Sequence, residues 1–259
     1  RVCYRNLNEI GDLIYNYRFL CKGSMANAFS MKLILIFIKL ILLFSGYSIA
    51  QKSDIRDYYL KLNLKNFRKE KLFHVQINFD SIDFSRLHAA IFFITNEERD
   101  KKRLSFLEYA PELEKAALIH SRDMYEKKFF SHINPSDKIK KTPNDRGALA
   151  GILNPYLAEN IATSHGLKYK SGAKVFVRGD GQFSYTTDGQ LIQPHTYLSM
   201  AETIVKSWMN SKGHRKNILS DDALQLGCGT YFYRDKAFNN MPSFNATQNF
   251  QLYKKIKSY

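Results

Sequence analysis

The chain has 259 residues, 44% of them hydrophobic, with 39 basic against 24 acidic side chains and a net charge of +15. That supports one sizeable core and excludes a disordered or collagen-like chain. The positive charge favours anionic surfaces such as lipid headgroups or cell-wall polymers. Met31 to Gln51 reads as a secretory signal, residues 31–50, with Lys32, an apolar run from Leu33 to Phe44, and Ser48-Ile49-Ala50 as a small-x-small cleavage site. The run is shorter than the ~20 residues of a membrane helix, and Lys39 interrupts it, so cleavage after Ala50 is favoured over an N-terminal membrane anchor. A signal belongs at the N-terminus. Residues 1–30 are therefore expected to be an upstream segment, with the start at Met25 or Met31. The export signal, and the lack of any nucleic-acid motif, argue against nucleic acid as a partner. Membrane contact is expected only through an uncleaved signal.

Cleavage there removes Cys3 and Cys21 and leaves Cys228 alone, so no internal disulfide is expected. Cys228 lies in Leu226-Gly227-Cys228-Gly229 and reads as a buried small hydrophobe rather than a nucleophile. No cysteine stands at the cleavage junction to carry a lipid, since Gln51 follows Ala50. Removing the 6 basic and 2 acidic residues of 1–50 leaves +11 on the exported part.

Residues 51–84 are lysine-rich and aperiodic, which predicts a linker or spacer with one short strand near Phe73–Ile77. A helix is expected from Ser85 to about Lys102, with Leu87, Ala90, Ile91 and Ile94 on one face. Pro111 suits a first helical turn and opens the next helix. Leu113, Ala116, Ala117, His120 and Met124 form its stripe, and His120 reads as a core histidine bonded to a neighbour. Pro135 forbids continuation and leaves His132 on a loop. Thr142-Pro143 starts a short helix, and Leu157 to Ala162 places Glu159 and Asn160 inside an apolar segment.

Residues 166–197 read as an inserted β-hairpin. Val175–Val177 and Phe183–Tyr185 flank the Asp180-Gly181 turn, and Asp188-Gly189 makes a second turn. Arg178-Gly179-Asp180, an adhesion tripeptide on paper, is turn chemistry here. The helix after it is expected to begin at Ser199, capped with Glu202, and to close at Gly213, which would place His214 on the exit loop. Leu224–Tyr233 and Ala246–Leu252 alternate as paired strands, and 253–259 is a basic tail. Helix pairs followed by strand pairs indicate an α+β domain with antiparallel strands.

The polar groups able to converge are His132, Glu159, His214, Asn210 and Ser211. Two imidazoles and a carboxylate match zinc-ligand chemistry with a position open, and equally a general acid–base pair with Glu159 as candidate base. No His-Glu-x-x-His helix forces two ligands together, so spacing alone ranks them as independent residues.

Several ordered strings go further. They are Asn96-Glu97-Glu98-Arg99, His120-Ser121-Arg122-Asp123-Met124, Phe130-Ser131-His132 and Glu159-Asn160-Ile161-Ala162. After them come Trp208-Met209-Asn210-Ser211-x-Gly213-His214-Arg215-x-Asn217-Ile218-Leu219, Leu226-Gly227-Cys228-Gly229 and Thr247-Gln248-Asn249-Phe250. Together they resemble the bacterial branch of the CAP superfamily of cysteine-rich secretory, antigen 5 and pathogenesis-related proteins, also called the SCP domain. The likeness covers about Ser85 to Gln251, and a domain over 85–252 carrying the 166–197 insertion follows from it. It implies a three-layer α-β-α sandwich with a central antiparallel sheet and a cleft lined by His132, Glu159 and His214.

The resemblance further implies a secreted protein to which no general catalytic activity attaches. Some members bind a divalent metal in the cleft, and some bind sterols or other lipids elsewhere. Ala158 stands where the family has glycine, and the family's disulfides are missing. The second glutamate of eukaryotic members is absent, with Asn210 and Ser211 near its place. The first expectation is a binding module for a lipid, cell-wall or protein partner. The alternative is a hydrolase in which His132 and His214 hold Zn²⁺ or Ca²⁺ and Glu159 is ligand or base. Ser211 lacks a Gly-x-Ser-x-Gly setting. A third reading makes the cluster a purely structural tie between the two loops.

Overall fold

Two long strands, Ala223–Asp235 and Met241–Leu252, pair antiparallel along their whole length and form the spine of the computed structural model, which describes residues 55–257. The upstream segment, the signal at 31–50 and the last two residues of the basic tail lie outside the described residues. In chain order the elements are α1 (Ile55–Lys61), two 3₁₀ turns (Phe67–Lys69 and Lys71–His74), α2 (Phe84–Asp100) and β1 (Glu108–Tyr109). Then come α3 (Pro111–Glu126), α4 (Pro143–Ala150), β2 (Leu157–His165), β3 (Phe176–Gly179) and β4 (Gln182–Ser184). The last are α5 (Tyr197–Asn210), α6 (Lys212–Ile218), β5 (Ala223–Asp235), a 3₁₀ turn and β6 (Met241–Leu252). The sheet order is β1-β5-β6-β2, antiparallel except for the two-residue β1, which runs parallel to β5.

The two faces of this sheet differ in chemistry. Leu226, Cys228, Phe244, Ala246 and Phe250 face α2 and α5 and close an apolar core with Leu87, Ile91, Ile204 and Trp208. The opposite face carries Gly227 and Gly229, which let the backbone of α3 lie directly on β5. A Cβ at Gly227 would sit 2.1 Å from the Glu114 nitrogen, and one at Gly229 2.4 Å from the Leu118 nitrogen. Only residues without a side chain allow that approach. The result is the α-β-α sandwich of an α+β domain, with Cys228 buried and its thiol pushed well up by desolvation. Among the described residues no helix is long and apolar enough to cross a membrane.

Several expectations require correction. From Ile55 onward the spacer of 51–84 is part of the domain: Phe67, Phe73 and Ile77 join the main core, and Phe67 stacks on Phe93 at 5.1 Å. Scattered aromatics without a period fix non-helical turns onto a core, which hydrophobic periodicity does not register. The strand near Phe73–Ile77 is one bridge, Gln76 to Thr196. The capping box of α5 sits three residues earlier than expected. Thr196 Oγ1 accepts from the Ser199 N–H at 3.1 Å, and Ser199 Oγ accepts from the Thr196 N–H at 3.0 Å. Tyr197 and Leu198 are buried, so the apolar stripe starts before Ser199, and Glu202 pairs instead with Arg68. Gly213 does not close the helix. The chain breaks at Ser211, whose ψ of 125° is extended, and a second helix then carries Gly213 and His214. The hairpin stands as expected, with Gly181 at φ +66° in its turn.

Replacing Phe73 with Ala should therefore lower stability by about 3–5 kcal/mol, read as a lower urea midpoint. A true spacer residue would leave that midpoint unmoved.

Candidate functional site

The two-residue period that lays strand side chains on alternate faces puts Glu159, opposite Asn249, on the face that meets α3. Its carboxylate is buried, with a side chain 1% exposed. Oε1 accepts from His132 Nδ1 at 3.0 Å and lies 3.5 Å from His120 Nε2. Oε2 accepts from the fully buried Arg146 Nη2 at 2.7 Å. The Asn249 amide, with its nitrogen turned toward Oε2, donates at 3.2 Å while its oxygen accepts from the Ala117 N–H.

Arg146 enters from α4, whose start is fixed by a reciprocal box between Thr142 and Asp145. Its guanidinium also donates to the carbonyls of Lys140, Lys141 and His132. One buried cation thus neutralises Glu159 and pins the loop that carries His132. His120 Nε2 donates to the Ser131 carbonyl at 3.0 Å, and Nδ1 is buried without a partner. Burial, the largest cause, opposes Glu159 and drives the pKa of His120 down from 6.5 to about 4, so the ring is neutral. The reading of His120 as a bonded core histidine holds, and it also forms part of the floor under the site.

His132 is the exposed member, its side chain 47% accessible. With Nδ1 engaged by Glu159, Nε2 is the ring nitrogen left for another partner. The ring of His214 lies 6.3 Å away, centroid to centroid, at 68°. Burial first and His132 second lower its pKa. A second network sets α6 against β2. Asn217 Nδ2 donates to Asn160 Oδ1 at 2.9 Å and to the Glu159 carbonyl, while Asn160 Nδ2 donates to the His214 carbonyl and to Gln248.

The structure thus brings His132, Glu159 and His214 together. Asn210 and Ser211 are placed differently: among the described residues no side-chain hydrogen bond ties either to the cluster, and they form the link between α5 and α6. Arg146, Asn217 and Asn249 belong to the site as well; Asn217 and Asn249 stand within the quoted strings, while Arg146 lies outside them. A buried arginine in Thr-Pro-Asn-Asp-Arg reads as surface until its partner is known. Among the described residues no three His, Cys, Asp or Glu side chains are gathered as a metal site. His132 and His214 offer two nitrogens, one short of the three protein ligands of catalytic zinc.

Comparison with known proteins decides the family. The model of the cysteine-rich secretory protein family, CAP, matches residues 92–250, more than half of the chain. The chain belongs to the CAP family. YkwD of Bacillus subtilis (strain 168) is 29% identical over 136 residues, 52% of this chain and 39% of that one. Among solved structures, an extracellular protein containing a SCP domain from Bacillus anthracis is 25% identical with a TM-score of 0.41, over 64% of this chain and 40% of that one. An outer surface protein from Borrelia burgdorferi is 18% identical with a TM-score of 0.39, over 63% of this chain and 90% of that one. The chain therefore spans about two fifths of the length of YkwD and of the Bacillus anthracis protein.

Two predictions follow, one from Glu159 and one from His120 together with His195, another buried histidine just before α5. Glu159→Gln leaves a buried guanidinium without its anion and should cost about 3–5 kcal/mol, read by urea unfolding. His120 and His195 both titrate near 4 when folded and 6.5 when unfolded. Between those values the unfolded chain binds more protons, so their contribution is complete above pH 6.5 and is lost as pH falls toward about 4. His195→Gln should flatten that acid limb of the urea midpoint against pH.

Proposed function

We propose that this CAP domain is an exported binding module whose ligand sits against His132 and His214, with Glu159 and Arg146 as a rigid internal support. The observation that carries this reading is the full engagement of Glu159. Both of its oxygens are held by His132, Arg146 and Asn249, so it orients His132 rather than waiting for a substrate. Catalysis by a covalent route finds no support, because among the described residues no serine or cysteine side chain is hydrogen-bonded to His132 or His214. The positive charge and the signal at 31–50 favour a partner at the cell surface: a lipid, a cell-wall polymer or a protein. Cleavage after Ala50 would make Gln51 the first residue of the secreted form, checked by N-terminal sequencing.

A second reading keeps a divalent ion, Zn²⁺ or Ca²⁺, between the two imidazoles. The specific observation in its favour is the Nδ1 contact of His132 with Glu159, which leaves Nε2 free as a ligand backed by a carboxylate. A bound zinc would lower the pKa of a water toward ~7.

The test uses the full chain beside His132→Ala and His214→Ala. In low-salt pull-downs with isolated cell wall and with anionic liposomes, wild type should be retained on one of them and both variants released. Retention of both folded variants, or capture on neither matrix, would overturn the binding reading. Calorimetry with Zn²⁺ and Ca²⁺ separates the second reading: stoichiometric heat abolished in both variants supports it, and no heat in wild type ends it.

A further inference from the structure

Beyond the C-terminal end of α3 the polar face of the sheet is no longer covered by helix. Thr163 and Asn245, opposite one another on β2 and β6, follow Glu159 and Asn249 along that same face. Here the structure opens a shallow groove of about 420 Å³, bordered by Tyr125, Phe130, Tyr233, Lys128, Thr163 and Asn245. Tyr125 stacks on Tyr233 at 4.4 Å and 25° and meets Tyr231 at 5.7 Å, which builds a broad aromatic wall from α3 and β5. Phe130, 56% exposed, stands on the loop two residues before His132. The polar floor is an amide and a hydroxyl. Thr163 Oγ1 donates to Asn245 Oδ1 at 3.1 Å, and Asn245 Nδ2 uses one of its two N–H groups on the Ser121 carbonyl at 3.4 Å.

Lys128 adds an independent observation. Helix α3 ends in a Schellman motif, with the Lys128 N–H donating to Tyr125 O at 3.2 Å and the Phe129 N–H to Met124 O at 3.0 Å. The left-handed position of that motif belongs by preference to glycine, because a Cβ crowds the carbonyl there. Lys128 occupies it at φ +55° and is exposed on the rim of the groove. A less favourable residue thus stands at a position on the border of the groove.

We infer that this groove is a glycan subsite, taking a pyranose ring that carries a carboxylate. The C–H face of a pyranose complements the negative face of an aromatic ring. Its equatorial hydroxyls match the spare amide N–H of Asn245 and the hydroxyl of Thr163, and its carboxylate matches Lys128. The inference rests on the binding reading above and names its ligand class. It places the sugar beside His132, on the same strand face as Glu159.

The test is calorimetry on the full chain at low salt. The probe is the disaccharide of N-acetylglucosamine and N-acetylmuramic acid, with chitobiose as its uncharged counterpart. The acidic sugar should bind more tightly than chitobiose, and Tyr125→Ala and Lys128→Gly should each weaken it about tenfold or more. Lys128→Gly should at the same time raise the melting temperature, because glycine relaxes the helix terminus. Weaker binding in a more stable protein is an outcome that a merely structural lysine does not give. No binding of either sugar, or unchanged affinity in a correctly folded Lys128→Gly variant, would overturn the inference. Sugar binding retained in His132→Ala and His214→Ala but lost in the groove variants would uphold the groove and count against the cleft reading alone.

Discussion

A guanidinium sealed from water needs an anion and carbonyl acceptors, and the Arg146 Nη atoms find both at Glu159 and the loop around His132, while its Nε has no partner. This one pairing joins three parts of the chain: helix α4, the loop after α3, and strand β2. The loop has no regular secondary structure to hold it, so its carbonyls are bound by the same cation that neutralises the carboxylate. His132 is exposed and yet oriented because its anchor lies below the surface.

The sheet makes the placement practicable by being two-sided. Toward α2 and α5 it offers a hydrocarbon and aromatic core, extended by Phe67 and Phe73 from the N-terminal turns. Toward α3 it offers glycine and hydrogen-bonding residues. Gly227 and Gly229 bring the helix backbone close, and Ser121 then reaches the Gly229 carbonyl at 2.9 Å and Thr247 Oγ1 at 2.8 Å. Buried polar groups on that face are satisfied by the helix for most of its length. Where α3 ends the same kind of face continues into solvent, so the cleft and the aromatic groove are successive stretches of one polar surface.

This arrangement also explains why the three histidines near Glu159 are held so differently in chemical terms. His120, His132 and His214 lie within one neighbourhood. Burial keeps His120 neutral beneath the carboxylate, while His132 meets solvent above it. Exposure, more than residue type, assigns which imidazole supports the carboxylate and which meets solvent.

Local rules made much of the chain legible. Pro111 marked a helix start, Thr142 with Pro143 marked another, Asp180-Gly181 marked a hairpin, and partial alternation over Leu224–Tyr233 and Ala246–Leu252 marked much of β5 and β6, because each signal is carried by residues adjacent in the chain. The ordered strings around His132, Glu159 and His214 carried the family and with it the sandwich. Tertiary packing decided the rest. The start of α5 was set by the burial of Tyr197 and Leu198, and the integration of Phe67 and Phe73 by a core assembled from distant helices. The engagement of Glu159 by Arg146, and the meeting of Tyr125 with Tyr233, join elements whose separation in sequence says nothing about distance. The sequence by itself determined most of the longer helices and strands and the family whose strings hold His132, Glu159 and His214. Only the fold decided what faces them, because a charge's partner and a side chain's exposure are properties of packing, and packing is not local.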